Sequence, residues 1–347
     1  MAACISPFPM STSLSAPHDL SIRIPSAPSF TSFLYPPFQP ERFRFQKKLA
    51  DSIYGTVGLF YDEEKKVDVA IKSCDRAEAH RNDTPEFTES PYRELRVMEE
   101  LKEHTNIHFR WGLHNEVLES PYTLYIVFPY HNGFDLFTHI TTRDPTQAVD
   151  TQRWFYKLAK PLYDLHLQGY AHHDFSLENC MLDYPPLEDE NDLADPELYL
   201  IDFGAAVKLE FDPCEKTAGQ FGFKRLTSSP SNAKKRGKIP YMSPEAYTPD
   251  KTYDAIANDL FSLGVTFFTL VFGVPPFKKP NYKTDEAFAL WYQGLSSHVF
   301  EQWKLDLRST PLLRQFLSRL ICPERRRMTW VDIWAHEWWG DFKSGEL

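Results

Sequence analysis

What the sequence lacks narrows it first. Its 347 residues carry only five cysteines, an odd number, at Cys4, Cys74, Cys180, Cys214 and Cys322. No CxxC pair is among them, so neither a disulfide framework nor a zinc site is indicated. Reduced thiols in the cytosol or nucleus fit this usage. A basic excess is also missing. The net charge is −10, which argues against a dedicated nucleic-acid binder, because neutralising phosphates needs a basic surface. An acidic balance suits basic protein substrates. Long hydrophobic runs are absent as well. The most apolar one, Leu260 to Phe272, has 13 residues interrupted by Ser262, Thr266 and Thr269. It reads as a buried core helix, with no membrane span expected. The N-terminus has no basic n-region and apolar core of a signal peptide. Ala2 stands where N-myristoylation requires glycine.

What is present divides the chain. Residues 1–40 hold eight prolines and eight serines but only two formal charges, Asp19 and Arg23. Without a hydrophobic period they read as a disordered tail. A cluster of Phe30, Phe33, Leu34, Tyr35 and Phe38 offers the alternative of docking on the domain. A transit peptide is disfavoured by the single arginine. From Glu41 onwards, short β-rich stretches (Gly55–Tyr61, Val67–Ser73, Leu124–Phe128) surround one helix. That helix opens with Ser90 as N-cap and Pro91 as first helical residue, and runs to about Glu103. After Gly133 the pattern is mainly helical. A helix capped by Asp150 or Thr151 carries Trp154, Leu158, Leu162 and Leu165 at helical spacing. Pro161 inside it is expected to kink it or cost about 3 kcal/mol.

Several motifs follow one another in order. Val69-Ala70-Ile71-Lys72 ends a strand with a lysine, and the helix after it carries Glu94, Met98 and Leu101 on one face. His172-His173-Asp174-Phe175-Ser176-Leu177-Glu178-Asn179 precedes an apolar strand, Leu198 to Ile201, that runs into Asp202-Phe203-Gly204. Ser243-Pro244-Glu245, Asp259, Gly273-Val274-Pro275-Pro276-Phe277 and His336-Glu337-Trp338-Trp339 complete the series. In order and spacing these resemble the strand lysine, catalytic loop, DFG and APE motifs of eukaryotic-type protein kinases, over about residues 42–340.

The resemblance implies an α+β bilobal protein-kinase fold. A small antiparallel β lobe with helix αC would span 41–128, a hinge 129–133, and a larger mainly helical lobe 134–340. Residues 341–347 would be a tail. It implies an ATP- and Mg2+-dependent serine/threonine kinase. Asp174 would take the acceptor proton, and Asn179 and Asp202 would hold magnesium. Lys72, fixed by Glu94, would hold the phosphates. Ala50 and Gly55 would belong to the glycine-rich loop. Val57, Ala70 and Met181 would sandwich adenine behind the gatekeeper Phe128. Adenine would meet the Pro129 carbonyl and the His131 amide, and Asp135 would bind ribose or a substrate arginine. Glu178 and the short Lys238–Glu245 segment favour serine/threonine over tyrosine. Glu178 and Asp135 together resemble the pair that selects arginine upstream of the acceptor. Expected partners are protein substrates, with no nucleic acid or membrane; the oligomeric state is left open.

The chain also departs from the pattern. The loop Leu49-Ala50-Asp51-Ser52-Ile53-Tyr54-Gly55-Thr56-Val57 has one glycine where the family has three. His173 replaces the arginine that grips a phosphorylated activation segment. Ser176 replaces the lysine that follows the γ-phosphate. The reading is a slow enzyme in which Ser176→Lys raises kcat about tenfold. Its alternative is that Lys208 or Lys238 fills the gap. The acidic stretch Leu182 to Glu197 lacks the glycine and spacing of a calcium loop and reads as solvated. The run Lys234-Lys235-Arg236-Lys238 reads as substrate-docking or exposed rather than as a nuclear signal. A cytoplasmic location is expected, with the nucleus as alternative. The second function to weigh is a pseudokinase scaffold, for which the eroded glycine loop and Ser176 argue.

Overall fold

A computed structural model describes residues 34–84, 87, 89–103, 112–142, 149–185, 195–211, 223–224, 226–228, 237–248, 252–340 and 342. The small lobe is a five-stranded antiparallel sheet in the order β1-β2-β3-β5-β4. Its strands are β1 (Phe43–Ser52), β2 (Gly55–Asp62), β3 (Val67–Asp75), β4 (Glu116–Glu119) and β5 (Thr123–Pro129). Side chains alternate across a strand, and β3 shows what this does for function. Val69 and Ile71 join Phe43, Leu118 and Val127 in an outer core. Ala70 and Lys72 therefore turn to the opposite face and line the cleft.

The outer core is closed by residues that the sequence reading placed in the tail. Phe38 stacks on Tyr125 with ring centroids 3.9 Å apart. Its amide donates to the Glu119 carbonyl at 2.9 Å, and the Glu119 amide donates to the Pro36 carbonyl at 2.9 Å. Residues 35–38 thus cover the free edge of β4, where unpaired strand groups need partners. The compact unit begins at Tyr35, and Phe38 docks on it as the alternative reading of the aromatic cluster expected. Phe30 and Phe33 lie outside the described residues.

Helix α1 (Pro91–Glu103) begins as expected, with the Ser90 hydroxyl accepting from the Arg93 amide at 3.2 Å. Glu94, Met98 and Leu101 are all buried. In the large lobe, α2 (Leu136–Thr142) leads to α3 (Thr151–Leu167), which Asp150 caps by accepting from the Arg153 amide. α3 continues through Pro161, which is buried in the core. Helix α4 (Ala255–Phe272) is long and apolar enough to cross a membrane by composition, but 94% of it is buried inside the protein. That burial accounts for its composition. Phe155 of α3, Phe267 of α4 and Phe316 of α5 (Pro311–Leu320) meet Trp338 and Trp339 mostly edge to face. Each such pair contributes about 0.5–1.5 kcal/mol beyond area burial. The closing His-Glu-Trp-Trp is a plug in the core of the large lobe.

Candidate active site

Four segments meet in a cleft of about 850 Å³. From β3, the Lys72 Nζ lies 2.6 Å from Glu94 Oε2 and 3.8 Å from Asp202 Oδ1. Burial opposes its ammonium, but Asp202 and Glu94 outweigh burial and hold its pKa above the ordinary lysine value. Asp202 sits in the left-handed region, φ 65° and ψ 77°, with its carboxylate accepting from the Gly204 amide at 3.3 Å. Aspartate tolerates that conformation better than most residues because its short side chain bonds locally. Burial opposes its charge too, yet Lys72 and Lys238 keep its carboxyl below the usual range.

The catalytic-loop residues hang from one fully buried carboxylate. Asp259, at the start of α4, accepts from the amides of His172 at 2.6 Å and His173 at 2.9 Å. His166 Nε2 is 3.0 Å from the same carboxylate, while His166 Nδ1 accepts from the Trp330 indole at 2.8 Å. The indole thereby fixes the tautomer, so that His166 donates from Nε2 to Asp259. His172 works in the same way: Nδ1 accepts from the Asp174 amide and Nε2 donates to the Ile201 carbonyl at 3.1 Å. This bond ties the loop to the strand that delivers Asp202.

Asp174 is surrounded by donors. Oδ1 accepts from the Lys238 amide at 2.8 Å, and Oδ2 accepts from Asn179 Nδ2 at 2.8 Å and from Lys238 Nζ at 3.0 Å. Lys238 Nζ also donates to Ser176 Oγ at 2.9 Å. Lys238 thus lines the cleft against Asp174 and Ser176, where the reading that it fills the gap left by the loop lysine would put it. Lys234, Lys235 and Arg236 lie outside the described residues. Lys208, the other candidate for the missing loop lysine, pairs instead with Glu100.

The expected nucleotide residues Ala50, Val57, Ala70, Phe128, Pro129, His131, Asp135 and Met181 all line the cleft. Two carry a different task as well. Asp135 caps α2, accepting from the Thr138 amide at 2.8 Å and hydroxyl at 2.9 Å with its two oxygens. The His131 ring stacks on Tyr199 at 4.2 Å. Gly55 is not among the lining residues. A Cβ there would stand 2.1 Å from the Ser73 carbonyl oxygen, so this glycine serves the close approach of β2 to β3. The strands turn over Ile53 and Tyr54 alone, and the buried Tyr54 donates its hydroxyl to the Glu89 carbonyl at 2.7 Å.

Tyr54 and Glu89 were not singled out by the motifs. Burial, reinforced by Asp202 and Asp174, pushes the Glu89 carboxyl up to about 7. A proton there near neutral pH lessens the negative charge that triphosphate would meet. Helix α1 is latched at both ends. The Ser90 amide and Arg93 Nη1 donate to the Gly204 carbonyl at 3.2 and 3.1 Å. Tyr170 and Lys208 hold Glu100.

The fit to magnesium can be judged from the donors. Asn179 commits its amide nitrogen to the Asp174 carbonyl and carboxylate, both at 2.8 Å. Its oxygen is then the end available to a cation. With the anionic Asp202 this makes a hard oxygen pair, as magnesium prefers, and the set would need phosphate and water to complete it. Among the described residues no cluster of three or more His, Cys, Asp or Glu forms a metal site. Most of the acidic stretch, residues 186–194, lies outside the described residues. Asp195 at its end pairs with Arg153 at 2.6 Å and with Lys157.

A lysine–glutamate pair, a left-handed aspartate and an Asp/Asn loop facing one cleft define a site for nucleoside phosphates. The sequence matches the protein kinase domain family over residues 43–339, and the chain belongs to that family. It is similar to maternal embryonic leucine zipper kinase of Danio rerio, 30% identical over 224 residues, covering 64% of this chain and 28% of that protein. Serine/threonine-protein kinase grp of Drosophila melanogaster is 27% identical over 299 residues, 86% of this chain and 51% of that protein. Serine/threonine-protein kinase SRK2D of Arabidopsis thaliana is 25% identical over 308 residues, 88% and 74%. The chain spans about half or less of the first two relatives' length.

Proposed function

We propose that this chain is an active serine/threonine kinase that moves the γ-phosphoryl group of ATP to protein hydroxyls. The observation that carries the reading is the assembled set Lys72–Glu94–Asp202 opposite Asp174 and Asn179. A scaffold has no need of that set. The acceptor oxygen forms a bond to the γ-phosphorus as the bond to the β-phosphate oxygen breaks. ADP leaves and the acceptor proton passes to the Asp174 carboxylate. Lys72 holds the phosphates in line, so its contribution is electrostatic positioning. Magnesium, held by Asp202 and Asn179 when bound, would neutralise charge on the phosphate oxygens. Adenine would take the Pro129 carbonyl and the His131 amide. For a substrate arginine, Glu178 is the better candidate than Asp135. Glu178 Oε2 is buried without a hydrogen-bond partner, whereas Thr138 engages both Asp135 oxygens.

Phosphoamino-acid analysis of a basic protein labelled by this chain tests the reading. Phosphoserine and phosphothreonine are expected, and phosphotyrosine alone would contradict it. We place the enzyme in the cytoplasm or nucleus, in keeping with the free, buried thiols of Cys74, Cys180 and Cys322 among the described residues.

Activity should not depend strictly on phosphorylation of Thr227, Ser228, Ser229 or Ser231. The backbone of 226–228 already pairs with 252–254. Lys238 pins the segment to Asp174, and α1 is latched to Gly204. A histidine at 173 offers a phosphate at most one pH-dependent charge. Phosphatase-treated protein is expected to keep most of its activity at neutral pH; near-complete loss would refute the point.

A further inference from the structure

The family places a lysine in the catalytic loop where this chain has Ser176. From the contacts of Lys238 we infer that the charge has been moved rather than lost: the Lys238 ammonium, entering from the activation segment, contacts the γ-phosphoryl group during transfer. The inference rests on the kinase reading above. Four observations support it. The ammonium stands 3.0 Å from Asp174 Oδ2 and 2.9 Å from Ser176 Oγ, beside the carboxylate that takes the acceptor proton. Ser176 is fully buried, and its hydroxyl serves as the seat of the ammonium instead of facing the phosphate. Lys238 also lines the same cleft as Lys72 and Asp202.

The fourth observation is the backbone that delivers it. Gly237 has φ +80°, and a Cβ there would lie 2.3 Å from the His173 carbonyl oxygen and 3.2 Å from Asp174 Oδ1. Only glycine lets the segment come close enough for the Lys238 amide to reach Asp174 at 2.8 Å. The amide fixes the backbone, and the side chain then folds back over the carboxylate. Burial opposes the ammonium, but Asp174 outweighs it and raises the lysine pKa, so the charge persists across the physiological range.

In the transfer step, the acceptor oxygen bonds to phosphorus and the β–γ bridging oxygen departs with ADP. The acceptor proton goes to Asp174, and negative charge spreads over the equatorial oxygens. An ammonium fixed beside Asp174 stabilises that charge more than it stabilises bound ATP, so it acts on kcat rather than on nucleotide affinity. A second consequence is regulatory. In this chain the activation segment supplies a catalytic group, so displacing residues 237–238 would remove charge as well as open the cleft.

The test compares wild type with Lys238→Ser, Ser176→Lys and the exchange Ser176→Lys/Lys238→Ser. Each is assayed for kcat and ATP KM on a basic protein, with ATP binding followed by thermal shift. Lys238→Ser is expected to lose about a hundredfold in kcat with ATP KM within about threefold, the pattern of a lost transition-state donor. Ser176→Lys alone should lower kcat, because it crowds a second ammonium against the first. The exchange should return to within about tenfold of wild type, since the charge again sits beside Asp174. Lys238→Ser with wild-type kcat overturns the inference alone. So does a folded, ATP-binding exchange variant that is no better than Lys238→Ser, because that marks a structural role. If Lys238→Ser unfolds, Ser176→Lys still decides: a kcat at or above wild type overturns the inference. A wild-type protein that binds ATP and transfers nothing overturns the kinase reading itself.

Discussion

Asp174→Asn is expected to lower kcat about a thousandfold, the scale of a lost general base, with ATP affinity within about threefold. On the proposed reading the carboxylate acts on the acceptor hydroxyl, while the hinge, Lys72 and the residues around Met181 would hold ATP. The hydrogen bonds add a second consequence. Asp174 accepts from the Lys238 amide, the Lys238 ammonium and Asn179 Nδ2. An asparagine must turn an NH2 towards one of these donors, which leaves that donor unsatisfied at about 1–3 kcal/mol. The variant should therefore show a measurably lower melting temperature that ATP partly restores. Strong residual transfer by a kinase-free preparation would remove Asp174 from its assigned role.

Lys72→Met is expected to abolish transfer and also to destabilise the protein, by about 3–5 kcal/mol if Glu94 stays charged. Glu94 is 1% exposed, and its counter-ion is gone in the variant. Burial already raises the Glu94 pKa, and Lys72 is the main influence pulling it back. In the variant it rises further, so the protein relieves the strain by taking up a proton on Glu94. A carboxyl with a folded pKa above its unfolded value stabilises below the unfolded pKa. That contribution is lost as pH rises through the folded pKa. Relative to wild type, Lys72→Met should lose stability as pH is raised from about 5 to 8. Urea midpoints at the two pH values measure this. A difference from wild type that does not change with pH would contradict the buried-pair account.

The sequence made some parts of this site readable and hid others. Lys72, Glu94, Asp174, Asn179 and Asp202 lie within short motifs whose order along the chain carries the information. The helix start at Ser90-Pro91 was legible because capping is local chemistry. Lys238 was nameable only as one of two candidates. Its bond to Ser176 joins residues 62 apart, and no period or spacing encodes such a meeting. The docking of Phe38 on Tyr125 was legible only as an alternative to a disordered tail: the aromatic cluster suggested docking, but a proline-rich stretch gives no strand signal for the backbone pairing with Glu119. Gly55 was read as a member of the nucleotide-binding glycine-rich loop because glycine suits both tasks. Only the 2.1 Å approach to the Ser73 oxygen separates them. Asp135 shows the converse: its place in the cleft was legible, but its bonds to Thr138 were not.

The central claim is that this cleft transfers phosphate rather than merely holding a nucleotide. The most direct measurement is label transfer from γ-³²P-ATP with magnesium to a basic protein, comparing wild type with Asp202→Ala in equally folded preparations. Asp202 is the anionic member of the proposed magnesium pair and lies 3.8 Å from Lys72, so its loss should remove transfer while leaving the fold in place. The account predicts steady incorporation by wild type and background counts from the variant. Equal counts from the two, at background while wild type binds ATP or above it in both, would contradict it.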